Sequence, residues 1–310
     1  MLKTFSKLKE YAATENGFVK MTPEQLKDLQ SVLLQMLIDF HNLCEENHLT
    51  YFLTGGSALG AARHSGFIPW DDDVDVFMPR EDYERLSDIV SKKCCNGYWV
   101  QNLHTSDKYD LNFSKFRKLG TKYVELYETD PERAGICIDV YPLDATYQGD
   151  IARFLYGIVN EAFFLIASCV RMHQKEEKLL SYIKDAQLAR SIKLKSFIGR
   201  LFHSNKNPRK WFLYCEDWCK RVKNKQIEYV ASSSGRGHYF GELYEYGKLY
   251  PPVLAAFEGH LFYVARDNDY LLRILYGNNY LIPPEEKKVE SHALLEVSIT
   301  TEEKRQRDDE

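Results

Sequence analysis

The 310-residue chain lacks a large charge of either sign. With 41 basic and 45 acidic side chains its formal net charge is −4, which gives no global attraction to nucleic acid. It has no internal repeat, and charged residues make up 28% against 44% hydrophobic, so wholesale disorder is excluded and a sizeable core is expected. The seven cysteines (44, 94, 95, 137, 169, 215, 219) form no regular disulfide or zinc spacing. Lys3, Lys7 and Lys9 have no apolar stretch behind them, so no secretory signal is expected. With the odd cysteine count, this points to a reducing, cytoplasmic setting. A clean membrane span is also lacking. The most apolar run, IARFLYGIVNEAFFLIASCV (151–170), is interrupted by Arg153, Asn160 and Glu161, which favours a buried helix.

Aromatic rings and acidic strands are plentiful, with 21 tyrosines in the chain. Thr22, Pro23 and Gln25 form a helix-start signature, and Leu26, Leu29, Leu33, Met36, Leu37, Phe40 and Leu43 continue it at helical spacing over 22–48. A short strand at 51–53 runs into Gly55-Gly56-Ser57 and a helix over 57–63. A second strand is expected over 74–78, then a helix over 80–92. Further strands are expected at 98–100, 113–119, 123–126 and 136–141, with a hairpin turn at Gly120-Thr121 and Pro142 as a stop. Helical periodicity takes over at 151. Between 171 and 225 there are 15 basic and five acidic residues, an excess of 15 − 5 = +10. That excess suits either a solvated helical insert or a surface facing anionic lipid or phosphate.

The chemistry is concentrated in three places. Asp73 and Asp75 are two apart on a strand, so they share a face while Val74 and Val76 turn inward. Two adjacent carboxylates are stable when a hard cation such as Mg²⁺ or Mn²⁺ lies between them. Asp71 and Asp72 read as solvated strand-end acids. Gly55-Gly56-Ser57 marks a strand-to-helix junction where the backbone approaches a ligand closely and helix N–H groups face phosphate. Asp139 stands alone in the apolar run Ile136–Tyr141, an expensive position for a carboxylate without a partner. A strand beside 74–78 would unite the three acids. Lys115 and Arg117 alternate on one strand face, setting two cations side by side.

The stretch LTGGSALGAARHSGFIPWDDDVDVFMPREDYERL (53–86) resembles the signature of the LicD phosphocholine transferases and of the fukutin-related ribitol-phosphate transferases. FSKFRKLGTKYVE (113–125), GICIDVYPLD (135–144) and YGNNYLIPPEEKKVESH (276–292) extend the resemblance over roughly 22–144 and 257–292. It does not reach 151–230. The resemblance implies an α+β, nucleotidyltransferase-like core with a mixed sheet flanked by helices. Its expected parts are an extension over 1–21, the core over 22–150, a basic helical insert over 151–230, a completing segment over 231–298 and a disordered tail over 299–310. It implies transfer of phosphocholine, or a related phospho-alcohol, from CDP-choline or another CDP-alcohol. The acceptor would be a hydroxyl of a cell-surface glycan (lipopolysaccharide or teichoic acid) or its lipid-linked precursor, and CMP would leave. Asp73, Asp75 and Asp139 would hold two Mg²⁺ or Mn²⁺ ions, with Asp139 as ligand or base. Gly55, Gly56, Ser57, Arg63, His64, Lys115 and Arg117 would meet the donor phosphates, and Trp70, Tyr141 and His292 the choline or nucleotide. A nucleotidyltransferase acting on an NTP, or an idle assembly partner, is the rival expectation. Peripheral contact with an anionic membrane, and no nucleic-acid partner, complete the reading.

Overall fold

A computed structural model describes residues 11–12, 17–92, 97–202, 207–223, 226–283 and 292–299. Cys94, Cys95, His203, Glu285, Glu286 and the tail from 300 onward lie outside the described residues.

Helix α1 (Pro23–Asn47) begins as its sequence requires. The Gln25 N–H donates to Thr22 Oγ1 at 3.2 Å and the Thr22 N–H to Gln25 Oε1 at 2.9 Å, closing a capping box. Its face of Leu29, Leu33, Met36, Leu37 and Phe40 is fully buried in the main core. Each such side chain contributes about 1.5–3 kcal/mol of burial.

That core lies around a mixed sheet with helices packed on it, an α+β arrangement as expected. The strands are β1 (Phe52–Leu53), β2 (Val74–Pro79), β3 (Tyr98–Gln101), β4 (Ser114–Lys118), β5 (Lys122–Glu125) and β6 (Cys137–Ala145). After them come β7 (Tyr229–Ala231), β8 (Leu243–Glu245), β9 (Val253–Phe257), β10 (His260–Val264) and β11 (Leu294–Ser298). Among the described residues the sheet runs β3-β4-β6-β2-β1-β10-β9, with β7 joining the far end of β6 and β8 joining β7. Parallel pairs (β2–β6, β1–β10) alternate with antiparallel ones. Helices α2 (Gly55–His64) and α3 (Arg80–Lys92) follow β1 and β2 directly.

Two expectations of the sequence fail here. Gly120 turns with φ +73°, but β4 and β5 do not form a hairpin. β4 stays between β3 and β6, while β5 leaves to pair with β11, more than 160 residues away. Nor does Pro142 end β6, which runs on to Ala145 with Pro142 opposite Met78. The Lys118 N–H donates to Ile136 O at 2.8 Å, so even-numbered residues of this segment turn their backbone polar groups toward the β4 side. On that side β4 stops at Val140 and β7 starts at Asp144. Pro142 falls in the gap, where no N–H is needed.

The region after β6 holds α4 (Asp150–Tyr182), α5 (Ala186–Phe202) and α6 (Pro208–Cys219). Short helices α7 (His238–Gly241) and α8 (Tyr246–Leu249) and the longer α9 (Asn268–Tyr276) complete the element order. Part of the basic excess is internal. Buried Arg171 and partly buried Lys175 of α4 both meet Asp110, at 3.1 and 2.8 Å, and Lys220 meets Glu84 and Glu216. Arg80 at the start of α3 grips Asp144 of β6 with two bonds of 2.7 and 2.8 Å and reaches Glu216 of α6 at 3.3 Å, fastening the helices to the sheet. Helix α4 is long and apolar enough to cross a membrane, but it is neither wholly buried nor wholly bare: one face packs on α5 and α6, and another is exposed.

Candidate active site

A row of side chains crosses three strands. The pairing register sets Lys115 of β4 opposite Asp139 of β6, and Asp139 opposite Asp75 of β2. Neighbouring strands lie about 4.8 Å apart, so the two carboxylates occupy one patch of the sheet face. Lys115 Nζ lies 3.0 Å from Asp139 Oδ1, 3.3 Å from Glu125 Oε2 and 3.7 Å from Cys137 Sγ. Burial alone would depress this ammonium, but Asp139, Cys137 and Glu125 overcome it and hold its pKa well above the ordinary lysine value. Asp139 is therefore not the isolated charge its sequence context suggests.

The acids sit at the N-terminus of α2. Gly55 has φ +53°, and a Cβ there would come within 2.6 Å of Asp75 Oδ2, so glycine is required for the carboxylate to approach. Gly56 is closed in the same way by the carboxylate of Asp71. The glycines thus lie inside the helix, in its first turn, where free N–H groups and the macrodipole favour negative charge. Ser57 is buried, and its Oγ accepts the Asp75 N–H at 3.0 Å, tying α2 to β2.

Asp71 and Asp72 are not solvated. Burial, then Asp73, Asp72 and Asp75, push the Asp71 carboxyl well above the usual carboxylate range. Asp72 is buried and accepts a 3.1 Å bond from the Tyr123 hydroxyl. His292 closes over the acids, with Nδ1 2.7 Å from Asp72 Oδ1 and Nε2 3.5 Å from Asp73 Oδ2 and 3.9 Å from Glu125 Oε1. One ligand atom from each of Asp72, Asp73 and His292 falls within 4.8 Å of the others. A small cleft bounded by Asp72, Asp73, Lys115, Tyr123, Glu125, Cys137, Asp139 and His292 joins this trio to the carboxylate row. The donor set is mainly hard oxygen, and its negative charge far exceeds what Lys115 balances. It therefore fits a divalent cation of the Mg²⁺ or Mn²⁺ type.

The expected basic residues divide. Lys115 belongs to the cleft. Arg117 does not: only 1% exposed, it donates from Nε to Gln101 Oε1 (2.6 Å), from Nη1 to Gly135 O (2.8 Å) and from Nη2 to Glu128 Oε2 (2.6 Å). It locks a loop onto β4. Arg63 and His64 lie in the last turn of α2, at the opposite end from the glycines. Arg63 donates to Tyr280 O and His64 Nε2, and its guanidinium lies 5.9 Å from the Trp70 ring. Trp70 thus already has a cation of the protein's own. Tyr141 stacks on Phe113 at 4.6 Å beside Asp75 and Asp139, and burial and those acids keep its hydroxyl protonated. Cys215 and Cys219 are buried on α6 in one apolar cluster, and among the described residues they join no group of metal-ligand type.

Sequence reasoning missed Glu125, Tyr123, Asp72 and Tyr276. Glu125 and Tyr123 stand two apart at the end of the 113–125 motif, an alternation like that of Asp73 and Asp75. Tyr276 opens the last motif. The residue is 41% exposed, and desolvation of its hydroxyl together with the charges of Asp75, Asp71 and Asp73 raises the hydroxyl pKa.

Residues 48–144 match the family described as LicD/FKTN/FKRP, nucleotidyltransferase domain. The chain is 27% identical over 281 residues to the lipopolysaccharide cholinephosphotransferase LicD of Haemophilus influenzae, covering 86% of this chain and 96% of that protein. It is 31% identical over 129 residues to an uncharacterized protein of Rickettsia typhi, covering 40% of this chain and 41% of that one. A 32-residue segment is 62% identical to the human ribitol 5-phosphate transferase FKRP, covering 10% of this chain and 6% of that protein.

Proposed function

We propose, from the match of residues 48–144 to the LicD/FKTN/FKRP nucleotidyltransferase-domain family and the similarity to a lipopolysaccharide cholinephosphotransferase, that the protein transfers phosphocholine from CDP-choline to a hydroxyl of a cell-surface glycan or its lipid-linked precursor. The observation that carries the reading is the in-register pair Asp75–Asp139, with Asp73 beside it, at the glycine-rich start of α2.

In the proposed reaction the acceptor oxygen attacks the phosphorus that bears choline. The bond from that phosphorus to the CMP oxygen breaks, and CMP leaves with the electron pair. The hydroxyl proton passes to a carboxylate of the cluster, with Asp139 the candidate in the sheet row. The acids would hold divalent cations, whose charge would be available to offset that of the donor diphosphate and of the leaving oxygen. Asp72, Asp73 and His292 would hold one and Asp75 a second, with Asp139 either its further ligand or the base. Gly55 and Gly56 let the carboxylates of Asp75 and Asp71 close on the start of α2, and the N–H groups of the first α2 turn would face the diphosphate. Lys115 balances Asp139 and adds positive charge at the cleft floor. The ring of Tyr276 is offered to the quaternary ammonium.

The test is product analysis. The protein is incubated with Mg²⁺, a glycan acceptor and either CDP-choline, another CDP-alcohol or an NTP. CMP release that depends on acceptor and on CDP-choline supports the proposal. Pyrophosphate release from an NTP replaces it with nucleotidyl transfer, and no turnover with any donor overturns it.

A further inference from the structure

We propose that the outer faces of α4 and α5 form a docking surface that lies flat on an anionic membrane. This inference stands apart from the phosphotransfer reading, because none of its residues belongs to the cleft.

Ile151, Phe154, Leu155, Ile158, Val159 and Leu165 recur at helical spacing along one face of α4, and all are exposed, Ile151 to 78%. The same face changes partner further along. From Cys169 onward α5 covers it: Gly199 sits tightly against the Cys169 carbonyl, and Ser196 bonds His173 and Glu176. The bare first half of the stripe therefore continues onto the outside of α5. There Leu194, Phe197 and Leu201 are exposed, the last two to 64% and 67%. Exposed Arg190, Lys193 and Arg200 are interleaved with them. Large apolar side chains framed by basic ones on a partly bare helix are the signature of an interfacial element, with apolar groups entering the headgroup boundary and cations meeting lipid phosphates.

The two other occupants fit less well. A second copy packed on this face through the same patch would bring a second set of Arg190, Lys193 and Arg200 to one interface, gathering like charge there. A transmembrane placement of α4 would tear Arg171 and Lys175 from Asp110, and these buried pairs tie the helix to the rest of the fold. Asp150, an acid at the start of the stripe, is already paired with Arg153.

The experiment is vesicle flotation of the full chain. Phosphatidylserine-containing vesicles are compared with pure phosphatidylcholine, at low and high salt. Three variants are used: Leu155→Glu with Ile158→Glu, Phe197→Glu, and Arg190→Glu with Lys193→Glu. Thermal melts confirm that each variant folds. Flotation with the anionic vesicles is expected, weakened by salt. It should fall about tenfold or more in each apolar variant, as for one large side chain kept from the bilayer, and fall in the basic variant with phosphatidylserine only. Three results overturn the proposal: no flotation of the parent chain, flotation unchanged in all variants, or a solution dimer that the same substitutions dissociate.

Discussion

Asp75 and Asp139 stand directly opposite each other on neighbouring parallel strands, with Lys115 opposite Asp139 on its other side. A like-charge pair is thus built into the strand register, where no side-chain rotation relieves it fully. A bound cation removes that repulsion, and so does deletion of one charge. Asp75→Asn is expected to leave the metal-free protein as stable as the parent or more so, whereas Asp139→Asn also takes a carboxylate from the buried Lys115 ammonium and is expected to destabilise it. Each should lower transfer by about a hundredfold or more, as for loss of one preorganised transition-state contact. Parallel thermal melts and CMP-release assays check both halves. The Asp139→Asn variant also separates two roles. Normal metal and donor binding without transfer identifies a base, whereas weakened metal binding identifies a ligand.

Lys115 carries the opposite expectation. Lys115→Met leaves Asp139 and Glu125 buried without their ammonium, and breaking such a pair from one side costs about 3–5 kcal/mol. Urea denaturation should show that loss without divalent metal, and added Mg²⁺ should restore part of it.

Arg117→Ala should behave as a folding variant. Its three partners are buried scaffold groups, so stability is expected to drop by about 3–5 kcal/mol. Under conditions where it folds, its apparent affinity for CDP-choline should match the parent. A selective loss of donor affinity in a stable variant would return Arg117 to the cleft.

Glu242 makes stability depend on pH. Burial behind the 232–237 turn pushes its carboxyl up to about 7 from an ordinary 4.5, while the Gly237 N–H still donates to Oε1 at 2.7 Å. The folded state therefore holds a proton that the unfolded chain releases. This contribution is fully present below about 4.5 and is lost as pH rises through about 7. The change is on the order of 3 kcal/mol between pH 4.5 and 8. Glu242→Gln should flatten this dependence and raise the melting temperature at pH 8, seen in melts taken across that range.

Much of this was legible in the residues. The capping box and seven-residue apolar stripe set α1, alternation set β2, and the lone acid of 136–141 identified Asp139. These signals are local. What failed needed distant partners. Nothing near Asp72 shows that His292, 220 positions away, will cover it. Alternation places Lys115 and Arg117 on one face, but only the path of residues 128–135 decides which one is buried under a loop. Pro142 reads as a strand end until its place between two edge partners is known.

Cys137 has a consequence of its own. Its sulfur lies at the cleft, 3.5 Å from Asp139 Oδ1, with burial holding the thiol protonated up to about 12. Against alkylating reagents it is therefore inert. Thiophilic ions are another matter, because a metal drives off the thiol proton as it binds. Zinc or cadmium would find sulfur beside carboxylate and imidazole, a softer set than a hard-cation enzyme needs. Inhibition by trace zinc or cadmium is therefore expected, relieved by a chelator or by Cys137→Ser in the CMP-release assay.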